Sequence, residues 1–253
     1  MSILGVPEAD EAFMLRLTHE LFGTADPEFQ GQAQGDPVAL MKQYFDYFGA
    51  LVDERRKHPR DDLATVIAQG QVDGAPIPPY ETMSYFVLIV TAGHDTTSSS
   101  IAGGVLALLE NPDQLARLQA DRGLLPTAVD EMIRWASPTR HFMRTANRDY
   151  VVRGKTIREG EDVFLSFLSA NRDAEVFEDP DCFRVDRSPN PHLGFGYGLH
   201  YCLGALLAKL ELRYFFDRLL DRIERIELAG EPTWMASNFV SGVKRLPVRY
   251  RFR

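Results

Sequence analysis

Cysteine is nearly missing from this sequence: two residues in 253, Cys182 and Cys202. That is too few for a disulfide framework, so the fold must rest on an ordinary core, and a reducing cytoplasm is the expected compartment. A basic surplus is missing too. Lys and Arg number 28 against 36 Asp and Glu, a net charge of −8, and this argues against a nucleic-acid binder. The opening Met-Ser-Ile-Leu-Gly-Val-Pro has no basic stretch and only a short apolar run, which reads as neither signal peptide nor N-terminal anchor. An uninterrupted apolar run of membrane length is also lacking. The longest window, roughly 85–109, is split by His94 and Asp95, which are costly in lipid, so it reads as a buried helix. There are no internal repeats and no low-complexity segment.

What is present is an ordinary globular composition, 45% hydrophobic and 25% charged, enough for a sizeable core in a single domain, 1–253. Helical spacing runs over 8–22, and a polar loop from Ala25-Asp26-Pro27 through Gly31 and Gly35 follows. Asp36-Pro37 is an N-cap with proline in the first turn, opening a helix to about Lys57 that His58-Pro59 stops. A short helix follows over 60–69, started by Asp61-Asp62. Pro78-Pro79 opens a long helix that closes at Glu110-Asn111-Pro112, and further helices are expected at about 112–120 and 125–136. From Tyr150 to Ser169, Val, Ile and Phe runs cut by Arg153-Gly154-Lys155 and Glu159-Gly160-Glu161 carry hairpin chemistry. Residues 171–201, rich in Asn, Asp, Pro and Gly, read as irregular. Helical spacing returns over 203–220, and 226–252 reads as short strands and turns. The fold class is mainly α with a minor β part.

Two stretches stand out chemically. Thr91-Ala92-Gly93-His94-Asp95-Thr96-Thr97-Ser98-Ser99-Ser100 sets an acid, a histidine and hydroxyls in the middle of the apolar helix. The plain readings are a fresh N-cap, or hydroxyls bonding back to carbonyls one turn earlier. In the second stretch, Phe195 to Gly204, a glycine-rich loop delivers Cys202 to a helix start, where unpaired N–H groups and the positive dipole end favour thiolate. Such a sulfur is inert packing, a nucleophile or a metal ligand. A structural zinc site would want four ligands, and only one other cysteine exists. A cysteine hydrolase would have His200 nearby but no evident partner to orient it. Haem ligation needs one protein sulfur.

The pattern Phe195-x-x-Gly198-x-His200-x-Cys202-x-Gly204 resembles the haem-binding signature of the cytochrome P450 monooxygenases. Ala92-Gly93-His94-Asp95-Thr96-Thr97 resembles that family's oxygen-activation motif, and Glu131-Met132-Ile133-Arg134 its Glu-x-x-Arg motif. The Glu-x-x-Arg match alone has little specificity, the threonine motif has more, and the cysteine loop is strong; all three stand in the family's order. Tyr44 to Phe48, Phe142 to Ala146, Ser169 to Asp173 and Ser237 to Gly242 resemble the bacterial terpineol-hydroxylating branch. The resemblance implies the C-terminal portion of the P450 fold: long central helix, Glu-x-x-Arg helix, cysteine loop and following helix. Residues 1–7 look like the end of the family's helix E. The domain is thus expected to be N-terminally incomplete, short of roughly two-fifths of a usual member and exposing apolar surface that the missing helices would cover.

The resemblance also implies roles. Haem b is the cofactor, with Cys202 as axial iron ligand. Phe195, Gly198, Gly204, Ala92 and Gly93 would border it, and His200 and Arg144 would pair with its propionates. Glu131 and Arg134 would form a buried ion-pair network with a third basic residue. Cys182 stands where that arginine often sits, leaving Arg184 or Arg187 to complete it. Asp95 and Thr96 would deliver protons, and Leu88, Thr91, Ala92, Thr139, Phe142, Phe239 and Val240 would line an apolar pocket. His94 reads as a solvated or satisfied helix residue rather than a ligand. The activity implied is insertion of one atom of O2 into a C–H bond of a small apolar, monoterpenoid-like substrate. No nicotinamide or flavin motif occurs, so electrons would come from a separate ferredoxin with its reductase, which Lys209 and Arg213 could face. The expected protein is a monomer with no membrane or nucleic-acid partner. Two alternatives are a haem-binding protein without turnover and an inactive, truncated remnant that holds no cofactor.

Overall fold

The computed structural model describes residues 2–29 and 36–253, so Gly31 and Gly35 of the expected polar loop lie outside the described residues. The chain divides into two units, Met1–Asp95 and Thr96–Arg253, each with its own core.

In the first unit a 3-10 turn at Glu8–Asp10 leads into α1, Glu11–Phe22, a slightly later helix start than the spacing predicts. Helix α2, Pro37–Lys57, begins where expected: the Asp36 side chain accepts from the Val38 N–H at 2.9 Å, and proline occupies the first turn. Helix α3, Leu63–Ala68, is capped by Asp62, which accepts from the Thr65 N–H at 2.8 Å. A two-residue ladder, β1 Gln71–Val72 against β2 Ala75–Pro76, precedes α4, Pro79–Ala92. The core is formed by Met14 and Leu17 of α1, Tyr44, Phe48 and Val52 of α2, and Phe86 and Val90 of α4, with the Phe48 and Phe86 rings stacked at 4.9 Å.

The long helix expected over 79–110 is two helices. Helix α4 ends at Ala92, Gly93 and His94 form a turn, and α5 restarts at Asp95 and runs to Glu110. Glycine is a weak helix former, and the Thr91 hydroxyl donates to the Val87 carbonyl at 2.7 Å, which favours a bend there. In α5 the Ser100 hydroxyl likewise bonds back to the Thr96 carbonyl at 2.8 Å.

In the second unit α6, Pro112–Ala120, and α7, Leu125–Ala136, each carry proline in the first turn, and α9 is Ala205–Arg222. Leu118, Val129, Met132, Leu212, Phe216 and Leu220 form their shared core. Strand β3, His141–Thr145, is not apparent in the sequence; it pairs antiparallel with β6, Asp162–Ser166. Between them β4, Tyr150–Val152, and β5, Lys155–Ile157, form the expected hairpin. Its turn residues Arg153 and Gly154 both have positive φ, 49° and 75°, as a two-residue hairpin turn demands. A short α8, Phe167–Ala170, precedes the irregular stretch. The tail pairs β7, Ile223–Leu228, with β10, Val248–Phe252, and β8, Thr233–Trp234, with β9, Val243–Arg245. The exposed side of α9 and its approach carries Leu203, Leu206, Leu207, Leu210 and Tyr214, the uncovered apolar surface that the sequence leads one to expect. No described helix is long and apolar enough to cross a membrane.

Candidate functional site

The loop before α9 presents the Cys202 thiol at the surface. Its shape is fixed by backbone bonds: Gly196 N–H to the Leu193 carbonyl at 2.9 Å, Tyr201 N–H to the Gly198 carbonyl at 3.1 Å, and Cys202 N–H to the Phe195 carbonyl at 2.9 Å. Gly196 and Gly198 have φ of 72° and 67°, which a side chain would strain. Gly194 answers a different need, because a Cβ there would stand 2.6 Å from Ile133 Cγ2 on α7. The Phe195 ring lies between those of His192 and Tyr201, with the Lys209 ammonium 5.7 Å from its centroid. His200, in the 3-10 turn Gly198–His200, is exposed.

Behind the loop lies a buried ionic network. The Glu131 carboxylate accepts from Arg134 Nε and Nη2, both at 2.7 Å, from the Arg184 backbone N–H at 2.9 Å, and from Arg187 Nε at 3.0 Å. Arg187 is therefore the third basic residue, while the Arg184 side chain points to Glu178 and Asp186. Cys182, in place of an arginine, contributes its carbonyl, which accepts from Arg134 Nη2 at 3.1 Å and Arg187 Nη2 at 2.7 Å. Asn171, which the sequence does not mark as functional, ties this network to the loop. Its carbonyl accepts from Arg134 Nη1 at 2.8 Å, its Oδ1 accepts from the Leu193 N–H at 2.7 Å, and its Nδ2 donates to the Ser137 hydroxyl at 2.9 Å. One residue along from Glu131, Asp130 receives Lys209 at 2.6 Å and His192 at 3.3 Å, so Lys209 is committed within the chain.

Burial pushes the Glu131 carboxyl up, but the bonds from Arg134 and Arg184 and the charges of Arg134 and Arg187 outweigh it and hold the group below its ordinary value of 4.5. The depressed value means its stabilising contribution is complete above that pH and is lost as pH falls through the folded-state value. Asp130, raised by burial and lowered more by His192 and Lys209, acts in the same direction below 3.8. In urea titrations at successive pH values, the midpoint is expected to drop on acidification below about 4.5. Glu131→Gln should start lower and show a shallower acid slope; an unchanged slope would remove Glu131 from the linkage.

Four of the expected pocket residues come together in the second unit. Thr139 and Val240 form an antiparallel bridge, the Arg140 N–H donates to the Phe239 carbonyl at 2.9 Å, and the Phe142 and Phe239 rings meet edge to face at 5.4 Å. Arg144 on β3 is exposed, with its guanidinium 5.8 Å from the Phe142 centroid. In the first unit Leu88 is exposed, Thr91 is buried with its hydroxyl on a carbonyl, and Ala92 and Gly93 are exposed. Asp95 is buried, and its Oδ1 lies 3.3 Å from His19 Nε2 and 3.0 Å from His94 Nδ1. Burial raises this carboxyl, and the two histidines lower it by more, leaving it ionised at neutral pH. His19 gives no signal in the sequence, and His94 partners the acid beside it. Thr96 is half-buried on α5.

The sequence model of the cytochrome P450 family matches residues 22–252. Over 259 residues the chain is 46% identical to cytochrome P450-terp of a Pseudomonas species, covering 99% of the chain and 60% of that relative. Its fold is similar to the crystal structure of CYP108D1 from Novosphingobium aromaticivorans, with a TM-score of 0.88 and 46% identity over 100% of this chain and 60% of that one. It is also similar to Mycobacterium marinum CYP268A2 in complex with pseudoionone, with a TM-score of 0.90 and 37% identity over 98% of this chain and 60% of that one. The chain belongs to the cytochrome P450 family. It spans about 60% of the length of these relatives.

The haem that the family implies suits the residues present. Cys202 offers a soft sulfur at the surface, and on either side of it in the chain Leu199 (103% exposed) and Leu206 (84% exposed) display apolar side chains of the kind that pack on a flat macrocycle. A Cβ on Gly204 would stand 3.9 Å from the Cys202 sulfur, so glycine at that position keeps a side chain off the thiol.

Proposed function

We propose that this chain carries the haem-thiolate and oxygen-handling part of a monooxygenase that acts on a small apolar substrate. The observation that carries the reading is the exposed Cys202 thiol on its glycine loop, flanked in sequence by the exposed apolar side chains of Leu199, Leu203 and Leu206 and joined through Asn171 to the buried Glu131–Arg134–Arg187 network. The activity is that of the family's full length, of which the chain spans about 60%. When bound, haem b supplies two-electron activation of O2, so that one oxygen atom enters a C–H bond and the other leaves as water.

The chain's own residues then have distinct tasks. Cys202 would hold the iron through its sulfur, and His200 and Arg144, both exposed, would hold the propionates. Asp95 is buried, while His19 and His94 beside it are partly exposed, so a proton taken up at an imidazole can pass to the carboxylate. Thr96, next on α5, holds a hydroxyl proton for the reacting centre. Phe142, Phe239, Val240 and Thr139 form an apolar wall that excludes water and orients a compact substrate. A monoterpenoid-like substrate is supported by the names of the relatives, P450-terp and the pseudoionone complex. A ferredoxin-type donor, served by its reductase, supplies the electrons. Arg213 rather than Lys209 is the cation on α9 that faces it, since Lys209 is paired with Asp130.

The deciding experiment supplies haem to the 253-residue chain and records the reduced carbon monoxide complex. A thiolate-type Soret band supports the reading; absence of incorporated haem, or a band of the imidazole type, overturns it for this chain. In a version extended to the family's full length, Thr96→Ala is expected to divert reducing equivalents to peroxide with less product per electron pair. Unchanged coupling would exclude Thr96 from proton delivery.

A further inference from the structure

The fold of the first unit brings His19 to the neighbouring pair His94-Asp95, a meeting that the local sequence does not show. His19 sits in the last turn of α1, and His94 and Asp95 sit where α4 gives way to α5. Both imidazoles aim a nitrogen at the same carboxylate oxygen: His19 Nε2 lies 3.3 Å and His94 Nδ1 3.0 Å from Asp95 Oδ1, and one ligand-type atom from each residue falls within 4.8 Å of the others. The His19 ring is stacked on Phe29 with centroids 4.4 Å apart, which fixes its plane. The Asp95 side chain is 6% exposed, whereas those of His19 and His94 are 28% and 34% exposed, so the group is anchored by a buried acid and reached by solvent on the imidazole side.

We infer that His19 Nε2, His94 Nδ1 and an Asp95 carboxylate oxygen form a binding site for a divalent transition-metal ion of the zinc class, with water completing the shell. Metal–nitrogen and metal–oxygen bonds of about 2.0–2.2 Å in a tetrahedral shell set neighbouring donors roughly 3.3 Å apart. The two nitrogen-to-oxygen separations already have that size, and only the distance between the imidazole nitrogens has to close. Two imidazoles and a carboxylate are the borderline donor set that zinc, cobalt, nickel and copper prefer, while calcium and magnesium want oxygen alone. On binding, each imidazole presents a lone pair in place of an N–H. The proton on each liganding nitrogen moves to the other nitrogen of its own ring or, where the ring carries two, leaves to solvent, and no electron is transferred. The metal would compete with the proton path proposed above for the same three residues, but its binding is read without haem or turnover and so stands or falls separately from the monooxygenase activity.

The test titrates the 253-residue chain with Co2+ and then displaces it with Zn2+. One equivalent of Co2+ is expected to give ligand-field bands without thiolate-to-metal charge transfer, a signature that separates this site from Cys182 and Cys202. His94→Ala and Asp95→Asn should each weaken Co2+ binding by roughly tenfold or more, and His58→Ala, at an exposed histidine after α2, should leave it unchanged. His94 is one-third exposed, so its replacement leaves the buried core intact, and equal helical circular dichroism of variant and parent certifies the comparison. His19→Gln, which keeps a polar side chain on α1, supplies a third variant and should lose affinity likewise. Retention of the full Co2+ affinity in His94→Ala or His19→Gln would overturn the proposal. So would a spectrum that shows thiolate charge transfer alone.

Discussion

Arg134→Ala is expected to unfold the Thr96–Arg253 unit under conditions that leave the parent chain folded. The Arg134 side chain is fully buried, and it donates to both oxygens of Glu131 and to the carbonyls of Asn171, Pro180 and Cys182. Removing one partner of a buried ion pair costs about 3–5 kcal/mol, because the other charge is left without compensation. Each buried carbonyl that loses its donor adds about 1–3 kcal/mol. Set against a total stability of roughly 5–15 kcal/mol for a domain, that removes most or all of the margin. Urea denaturation followed by circular dichroism should show the second unit's cooperative transition lost or shifted far to low urea. Arg134→Lys keeps the charge but lacks the planar fork and should fall in between. A midpoint within experimental scatter of the parent would show that Arg187 alone can hold Glu131.

Cys202→Ser is expected to abolish the thiolate-type band of the reduced carbon monoxide complex while leaving the protein's fold and stability nearly unchanged. The two readouts separate ligation from packing. A structural thiol would be buried and costly to alter, whereas this one is exposed at the end of a loop whose shape is set by backbone bonds and glycines. Serine is close to isosteric, and its neutral hydroxyl is a poor substitute for a soft thiolate. Cys182→Ser serves as the control. Its contribution to the ionic network is a backbone carbonyl, which serine also has, so both spectrum and stability should match the parent. A thiolate-type band that survived in Cys202→Ser and disappeared in Cys182→Ser would reassign the ligand.

Much of the fold was legible because its signals are local. Asp36 caps α2, Asp62 caps α3, prolines open α2, α4, α6 and α7, and the Arg153-Gly154 turn reverses a hairpin, each through interactions spanning a few residues. The spacing predicts one continuous long helix because apolar helical residues stand on both sides of Gly93 and His94, whereas the structure breaks there, with a turn at Gly93-His94 and an acid that meets two imidazoles. Strand β3 gives no clear sequence signal because its residues alternate poorly, and it is held by the ladder to β6, which local spacing does not show. In the site, the cysteine loop and the Glu131–Arg134 pair are legible through the resemblance of their patterns, in order, to the family's motifs. The choice of Arg187 over Arg184, the tie through Asn171, and the commitment of Lys209 to Asp130 are not.

The class of fold and the residue types able to bind a thiolate-ligated cofactor are written in local chemistry, within a turn or a loop, where neighbours in the chain are neighbours in space. The family is carried by the resemblance of three motifs in their order, and the family model matches residues 22–252. Packing brings together groups across long separations: Arg187 with Glu131, 56 residues apart, and Arg140 with Ser241, 101 apart, beside the Thr139–Val240 bridge. It also decided that His19 would share an oxygen with His94. No local pattern encodes such meetings, because each is set by the packing of whole helices and strands, and burial then fixes which charges must find one another.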